Sequence, residues 1–120
     1  MSKENRSDLR VRTKSFALRV IRLYSSLPRL VPAQIIGRQL LRSGTSVGAH
    51  YREATRARSG AEFVSKIECG LQELGESVYW MELLVEAGIV PLARRRELFQ
   101  EAEDLTSIFV SSAKTAKRSG

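Results

Sequence analysis

Cysteine and histidine are almost absent from this 120-residue chain, which contains one of each, Cys69 and His50. A single cysteine forms no internal disulfide, and no other Cys or His stands at a metal-ligand spacing, so the sequence predicts no metal and no cofactor. No apolar run approaches the roughly 20 residues of a membrane-spanning helix. The N-terminal segment, residues 1–14, is polar and lacks the apolar core of a signal peptide. We therefore expect a cytoplasmic protein that does not enter the membrane.

Proline and glycine are also scarce, with three and eight residues, so long helices are possible between them. Apolar residues recur there every three or four positions, the period of an amphipathic helix. Pro32 suits the first turn of a second helix, while Ser59 and Glu62 fit a capping box at the start of a third. Gly88 followed by Pro91 is a stop signal for that helix. The pattern predicts four helices, at about 11–27, 32–58, 60–87 and 92–116.

Four amphipathic helices with short connectors bury their apolar faces most simply as an antiparallel up-down-up-down four-helix bundle. This all-α fold, over residues 11–116, is the prediction, and a more open helical array is the alternative. We expect residues 1–10 to form a flexible basic arm and residues 117–120 a frayed basic tail. Gly37, Gly44 and Gly48 lie inside the second helix, which indicates close helix packing rather than a phosphate-binding loop.

Some apolar side chains fall outside the stripes that would form the core. Tyr79, Trp80 and Leu83 lie away from the main stripe of the third helix, and Leu18 lies within the polar face of the first. A second apolar face indicates a partner surface, so these four residues are predicted to lie in the interface of a homo-oligomer. Alternatively, Trp80 merely covers one end of the core.

Catalytic groups are equally scarce. With one histidine and no Glu-x-x-His pair, the ligand set of a di-iron bundle is excluded. Cys69 lies beside the core stripe, where a packed thiol is far commoner than a nucleophile. The glutamates of the third helix have the regular spacing of a solvated or salt-bridged face. The sequence thus predicts no enzymatic activity.

Positive charge is what the sequence has in excess, with a net charge of +7. Such a charge favours a polyanionic partner such as RNA or DNA, although it also serves solubility and internal ion pairing. Arg38, Arg42, Arg52 and Arg56 project within about 80° of one another on the second helix, at 100° per residue. These four residues are called the arginine stripe below.

The arginine stripe has two interpretations. Guanidinium groups bind phosphate bidentately and release counterions, so the stripe suits a nucleic-acid backbone. It also suits pairing with the third helix, because residues 31–58 carry five basic and one acidic side chains, whereas residues 59–89 carry one and six. The remaining excess charge lies on the first helix, at residues 94–96 and in the tail. The predicted phosphate contacts on the first two helices are Arg12, Arg19, Arg22, Arg38, Arg42, Arg52 and Arg56.

A combination of segments carries a family resemblance: RSGTSVGA at 42–49, YREA at 51–54, EF at 62–63, KI at 66–67, ELGES at 73–77 and YWMELL at 79–84. This combination resembles the bacterial four-helix-bundle proteins encoded within intervening sequences of large-subunit ribosomal RNA genes. The chain departs from the expected pattern at His50, where Asn is expected. The resemblance implies a homopentameric ring and kinship with the accessory variability protein of diversity-generating retroelements, a basic pentamer that engages nucleic acid and a reverse transcriptase. It implies no enzymatic activity.

The leading hypothesis is a non-enzymatic, oligomeric nucleic-acid-binding accessory protein, RNA-associated and acting through its basic surface. The rival is an oligomeric scaffold that binds a protein partner and uses its arginines in ion pairs within and between subunits. A hydrolase or metal enzyme would require a site that the sequence pattern does not show.

Overall fold

The computed structural model describes the backbone of residues 3–119 and the side chains of residues 8–93 and 95–119. Within this part of the chain there are four α-helices and no strand. The helices are α1 (Lys3–Ser25), α2 (Val31–Thr55), α3 (Gly60–Glu86) and α4 (Leu92–Ser119). The prediction of an all-α, four-helix protein is confirmed.

Both predicted tails differ from the described structure. Residues 3–10 are helical rather than a flexible arm, and α4 continues through residues 117–119 rather than fraying there; residues 1, 2 and 120 lie outside the described residues. Leu9 explains the early start of α1, because it is 1% exposed and anchors the first turns of α1 in the core. No glycine or proline interrupts α4, and Lys117 and Arg118 in its last turn face the negative end of the helix dipole.

Side chains and glycine set the helix boundaries near α3. The hydroxyl of Ser59 accepts a hydrogen bond from the backbone N–H of Glu62 at 3.0 Å, and the Glu62 carboxylate accepts one from the N–H of Arg58 at 2.8 Å. The Ser59 half of the predicted capping box is therefore present, whereas the glutamate binds the N–H of Arg58, the residue before Ser59, instead of that of Ser59. At the other end of α3, Gly88 has a φ of 75°, the left-handed conformation that glycine adopts without strain.

Successive helices pack against one another, and α1 also packs against α4, although less extensively. Residues early in one helix meet residues late in the next: Thr13 lies beside Gly48, whereas Leu27 lies beside Gly37. One continuous apolar core runs through these contacts and contains residues of all four helices. Its largest fully buried side chains are Tyr51, Phe16, Phe109, Leu9, Leu23, Leu40, Ile67, Leu74, Met81, Leu84, Leu105 and Val20.

Glycines allow the closest helix contacts. A Cβ atom placed on Gly44 would lie 2.8 Å from Cγ2 of Val20, and one on Gly37 would lie 2.5 Å from Cδ1 of Leu27. Both distances are shorter than any ordinary carbon contact. Between α3 and α4, a Cβ atom on Gly70 would lie 2.6 Å from the ring of Phe109. The prediction that glycines of the second helix allow close packing is confirmed.

The chain offers a matched test of this packing. We expect Gly44→Ala to lower the free energy of unfolding by about 1–2 kcal/mol, because overpacking against buried Val20 exceeds the gain in helix propensity. Gly75→Ala is the control, since no atom lies within 4 Å of its added Cβ. It should raise the free energy of unfolding by about 0.5–1 kcal/mol. Urea denaturation followed by circular dichroism measures both; a stabilising Gly44→Ala would contradict the close contact.

Candidate nucleic-acid interface

Three members of the arginine stripe face solvent. Arg38, Arg52 and Arg56 are exposed, and in the described part of the chain no carboxylate lies within ion-pair distance of their guanidinium groups. Arg38 and Arg56 are 18 positions apart, which is five turns and about 27 Å along the helix direction. These three residues therefore form an open row of positive charge.

Arg42 is the exception. Its Nη1 lies 3.1 Å from Oε2 of Glu73, and its Nη2 lies 2.8 Å from Oε1 of Glu76, both on α3. The Glu73 side chain is only 10% exposed, so Arg42 neutralises a carboxylate that has lost most of its water. The stripe thus divides between the two interpretations: Arg42 pairs with α3, and the other three residues remain open.

A second ion pair joins the same two helices. Lys66 Nζ of α3 lies 3.0 Å from Oε2 of Glu53, and His50 Nδ1 lies 3.1 Å from Oε1 of the same carboxylate. The hydrogen bond from Lys66 lowers the pKa of Glu53 below its usual value and raises the pKa of Lys66. Both groups are therefore charged at neutral pH. Beside the Arg42–Glu73 pair, the buried hydroxyls of Ser43 and Ser77 are hydrogen-bonded at 2.8 Å.

The arginines of α1 also divide. Arg12 binds Glu101 of α4 bidentately, with Nε and Nη2 at 3.1 and 2.6 Å from its two oxygens, and this bond raises the pKa of Arg12. Arg19 has a longer contact of 4.0 Å with Glu97, whose side chain is 94% exposed. Arg22 is exposed, and no carboxylate of the described residues lies within ion-pair distance of it. Arg12 is therefore largely occupied by α4, whereas Arg22 is available.

The four residues predicted to lie in an oligomer interface differ in exposure. Leu18 is 42% exposed and Tyr79 is 53% exposed, whereas Trp80 and Leu83 are half-buried. The Trp80 ring packs against the core and meets Tyr79 edge to face, with ring centroids 5.0 Å apart. Its indole N–H is buried and has no hydrogen-bond partner among the described residues. Trp80 is thus anchored against the core of the same chain, with Tyr79 as the exposed part of the pair.

Further exposed apolar residues, which the sequence analysis did not select, accompany Leu18 on α1. On α1, Val11 is 68% and Ile21 is 41% exposed. Val11, Leu18 and Ile21 are spaced seven and three residues apart, the spacing of a helix-pairing seam, and that spacing was a usable signal. A separate exposed group lies near the connector between α1 and α2 and consists of Leu30, Val31 and Ile35.

A cavity of about 840 Å³ lies between the α2–α3 connector and the C-terminal half of α4. Small alanine, serine and threonine side chains line most of it, together with Phe63 and Ile108, and its lining contains no charged side chain. Among the described residues, no three of His, Cys, Asp or Glu lie together as a metal-ligand set. No helix in that part of the chain is long and apolar enough to cross a bilayer.

The fold and its charge distribution define a class: a small, basic, all-α protein whose arginines are partly paired between helices and partly exposed. The family is identified by comparing the sequence with models of known protein families. A model of the 23S rRNA-intervening sequence protein family matches residues 7–111, and this chain belongs to that family. The resemblance noted in the sequence is thereby confirmed.

One similar solved structure is that of a protein of unknown function from the S23 ribosomal protein family of Bacteroides thetaiotaomicron VPI-5482. It is 30% identical, the match covers 91% of this chain and 97% of that chain, and the TM-score is 0.83. A search of curated proteins gives no match.

The paired and open arginines of α2 should differ in their contribution to stability. Arg42→Ala leaves buried Glu73 with only His50 nearby, whose Nε2 is 3.9 Å away. We expect the free energy of unfolding to fall by about 1–2 kcal/mol, as for a poorly solvated polar group that loses its partner. Arg38→Ala is the control and should change it by less than about 0.5 kcal/mol. Equal effects in urea denaturation at neutral pH would contradict this division.

Proposed function

We propose that this protein is a non-enzymatic, nucleic-acid-binding subunit of a homo-oligomer, and that RNA is its partner. The observation that carries the proposal is the open row on α2, in which Arg38, Arg52 and Arg56 are exposed without a carboxylate among the described residues at ion-pair distance. Charges that are not used within the subunit are available to an external polyanion.

The geometry of this row suits a nucleic-acid backbone. Three guanidinium groups along about 27 Å of helix can contact several successive phosphates of one strand. Each contact releases condensed counterions, so affinity arises without base recognition and depends on salt. The net charge of +7 adds a long-range attraction that steers a polyanion to the protein.

The family supports RNA as the nucleic acid. The family's description ties its members to the intervening sequences of 23S rRNA. RNA made from the same locus is therefore the first candidate, and the binding assay below uses RNA for that reason.

For the assembly, we propose an antiparallel up-down-up-down bundle that forms a homopentamer, the number that the family resemblance implies. Exposed apolar side chains support self-association. Leu18 lies in a row with Val11 and Ile21 on α1, and Tyr79 lies exposed on α3. Burying such residues against a second subunit gains about 25 cal/mol per Å² of apolar surface.

The second candidate is an oligomeric scaffold that binds a protein partner. The ion pairs of Arg12 with Glu101 and of Arg42 with Glu73 favour it, because they show that part of the positive charge stabilises the subunit itself. A protein without detectable RNA binding at about 50 mM salt would fit this scaffold and would contradict the first candidate.

RNA binding should depend on the open row. Replacing Arg38, Arg52 and Arg56 together by Gln should make the slope of log K against log salt less negative by about 2, since each single-strand phosphate contact contributes about 0.7. Fluorescence anisotropy with a labelled single-stranded RNA at several salt concentrations measures this slope.

A triple variant at the end of α4 is the matched control. Replacing Lys114, Lys117 and Arg118 by Gln removes the same charge from a different place. Its slope should stay closer to that of the unmodified protein. If both triple variants lose the same slope, affinity follows net charge alone and the open row has no special role.

Self-association should depend on the exposed face of α1. We expect Leu18→Glu to reduce the pentameric mass in size-exclusion chromatography with light scattering, because a charge would be buried at the interface without a partner. Helix content should be unchanged, since Leu18 is 42% exposed in the subunit. Ile35→Glu, on α2 and 56% exposed, is the control and should keep the mass. A pentamer retained in Leu18→Glu would place the interface elsewhere.

A further inference from the structure

We propose a binding site for a phosphate group in the small cavity between the C-terminal end of α1 and the N-terminal end of α4, formed by Arg19, Arg22 and Arg95. The inference rests on the proposed function for its biological ligand, since RNA supplies phosphate. It concerns a different surface from the open row on α2, and it is testable without RNA.

Arginines from two helices meet at this cavity. Arg19 and Arg22 of α1 and Arg95 of α4 line a space of about 160 Å³, together with Leu98. Arg95 reaches the residue that follows α1, where its Nη2 lies 3.5 Å from the hydroxyl of Ser26. Residues that are about 70 positions apart in the sequence thus line one space.

The size of the cavity restricts the ligand. Its volume equals that of about five liquid water molecules and is below the roughly 300 Å³ at which pockets for drug-sized ligands begin. This volume suits one phosphate group with a few waters better than a base with its ribose. Guanidinium groups match such an oxyanion because their N–H donors form paired, charge-assisted hydrogen bonds with its oxygens.

The local charge calls for an anion. Arg19 has only the long contact with the 94% exposed Glu97 in the described part of the chain, and Arg22 has no carboxylate there at ion-pair distance. Arg12, two turns earlier on the same face of α1, has Glu101 at 2.6 Å. The contact between α1 and α4 is therefore neutralised at one end and strongly cationic at the other. A divalent anion would relieve this repulsion.

The charge at the start of α4 points in the same direction. The first turn of α4 contains no acidic residue, and positions 94–96 are all arginine. Cations at a helix N-terminus oppose the helix dipole, which favours negative charge there. The dipole at the C-terminal end of α1 offsets part of this charge, but Arg22 in the last turn of α1 adds another cation. A phosphate at this position would supply the missing negative charge.

The test is the stabilisation of the protein by inorganic phosphate. Melting temperatures are measured in sodium phosphate and in sodium chloride at equal pH and ionic strength. At about ten times its Kd, phosphate should raise the Tm of the unmodified protein by about 4–8 °C. Arg22→Gln should lose this rise; because Arg22 is exposed, the variant is expected to fold. Arg95→Gln should lose it as well.

Arg118→Gln is the matched control, with the same change of charge at an exposed position at the other end of α4. It should keep the phosphate-dependent rise, and it also corrects for the general stabilising effect of phosphate as a salt. Retention of the full rise in Arg22→Gln and Arg95→Gln, or absence of a rise in the unmodified protein, would overturn the site.

A binding comparison between two RNAs tests whether the site takes a terminal phosphate or a backbone phosphate. Two oligonucleotides of one sequence are compared, one with a 5′-phosphate and one with a 5′-hydroxyl. If Arg22→Gln weakens only the phosphorylated RNA, the site takes a terminal phosphate; if it weakens both equally, the site takes a backbone phosphate. Either result supports the site, whereas unchanged affinity for both RNAs overturns RNA as its ligand.

The two proposals fail separately. Loss of the phosphate-dependent rise in Arg22→Gln without any RNA binding at about 50 mM salt would overturn the proposed function and support the site. RNA binding with the salt slope of the open row, combined with equal phosphate stabilisation in Arg22→Gln and Arg118→Gln, would overturn the site and leave the proposed function standing.

Discussion

The close contact between α1 and α2 is the constraint on which the rest of the surface depends. Gly44 meets Val20 where a Cβ atom would lie at only 2.8 Å, and Gly48 meets Thr13 in the same way. This contact fixes the rotation of α2 about its own axis. Once the glycine side is turned towards α1, Ser43 is turned towards α3 and its hydroxyl meets that of Ser77. The arginine stripe then has to lie on the outer face of the helix.

The same rotation explains why the stripe divides. At 100° per residue, Arg42 lies about 40° from Arg38 in the direction of Ser43, and therefore towards α3. Its long side chain reaches the glutamates of that helix. Arg52 is displaced by about 40° in the opposite direction, towards the glycine side. A small difference in angle thus separates an arginine that stabilises the subunit from arginines that remain available to a partner.

Much of the fold was predictable because it follows from local signals. Three such signals are the helix period, the cap at Ser59 and the stop at Gly88. Each depends only on residues nearby in the sequence, and the structure contains all three signals. The start of α1 was predicted too late, because Leu9 becomes a core residue only when other helices cover it. The counts of basic and acidic residues in each segment showed that the net charges of α2 and α3 are opposite in sign and nearly cancel. It did not show which arginine pairs, since that depends on rotation and side-chain length.

The phosphate site illustrates what charge counting misses. Residues 94–96 stood out in the sequence as excess charge, but nothing in their spacing connects them to Arg19 or Arg22. The connection arises because α1 and α4, the first and last helices, are brought together at the closing edge of the four-helix arrangement, where packing is least extensive. Less complete packing leaves a cavity at that edge, and α1 and α4 contribute the arginines that line it. An anion is the natural occupant, because an apolar filler would supply no counter-charge to Arg22, which has no carboxylate of the described residues at ion-pair distance.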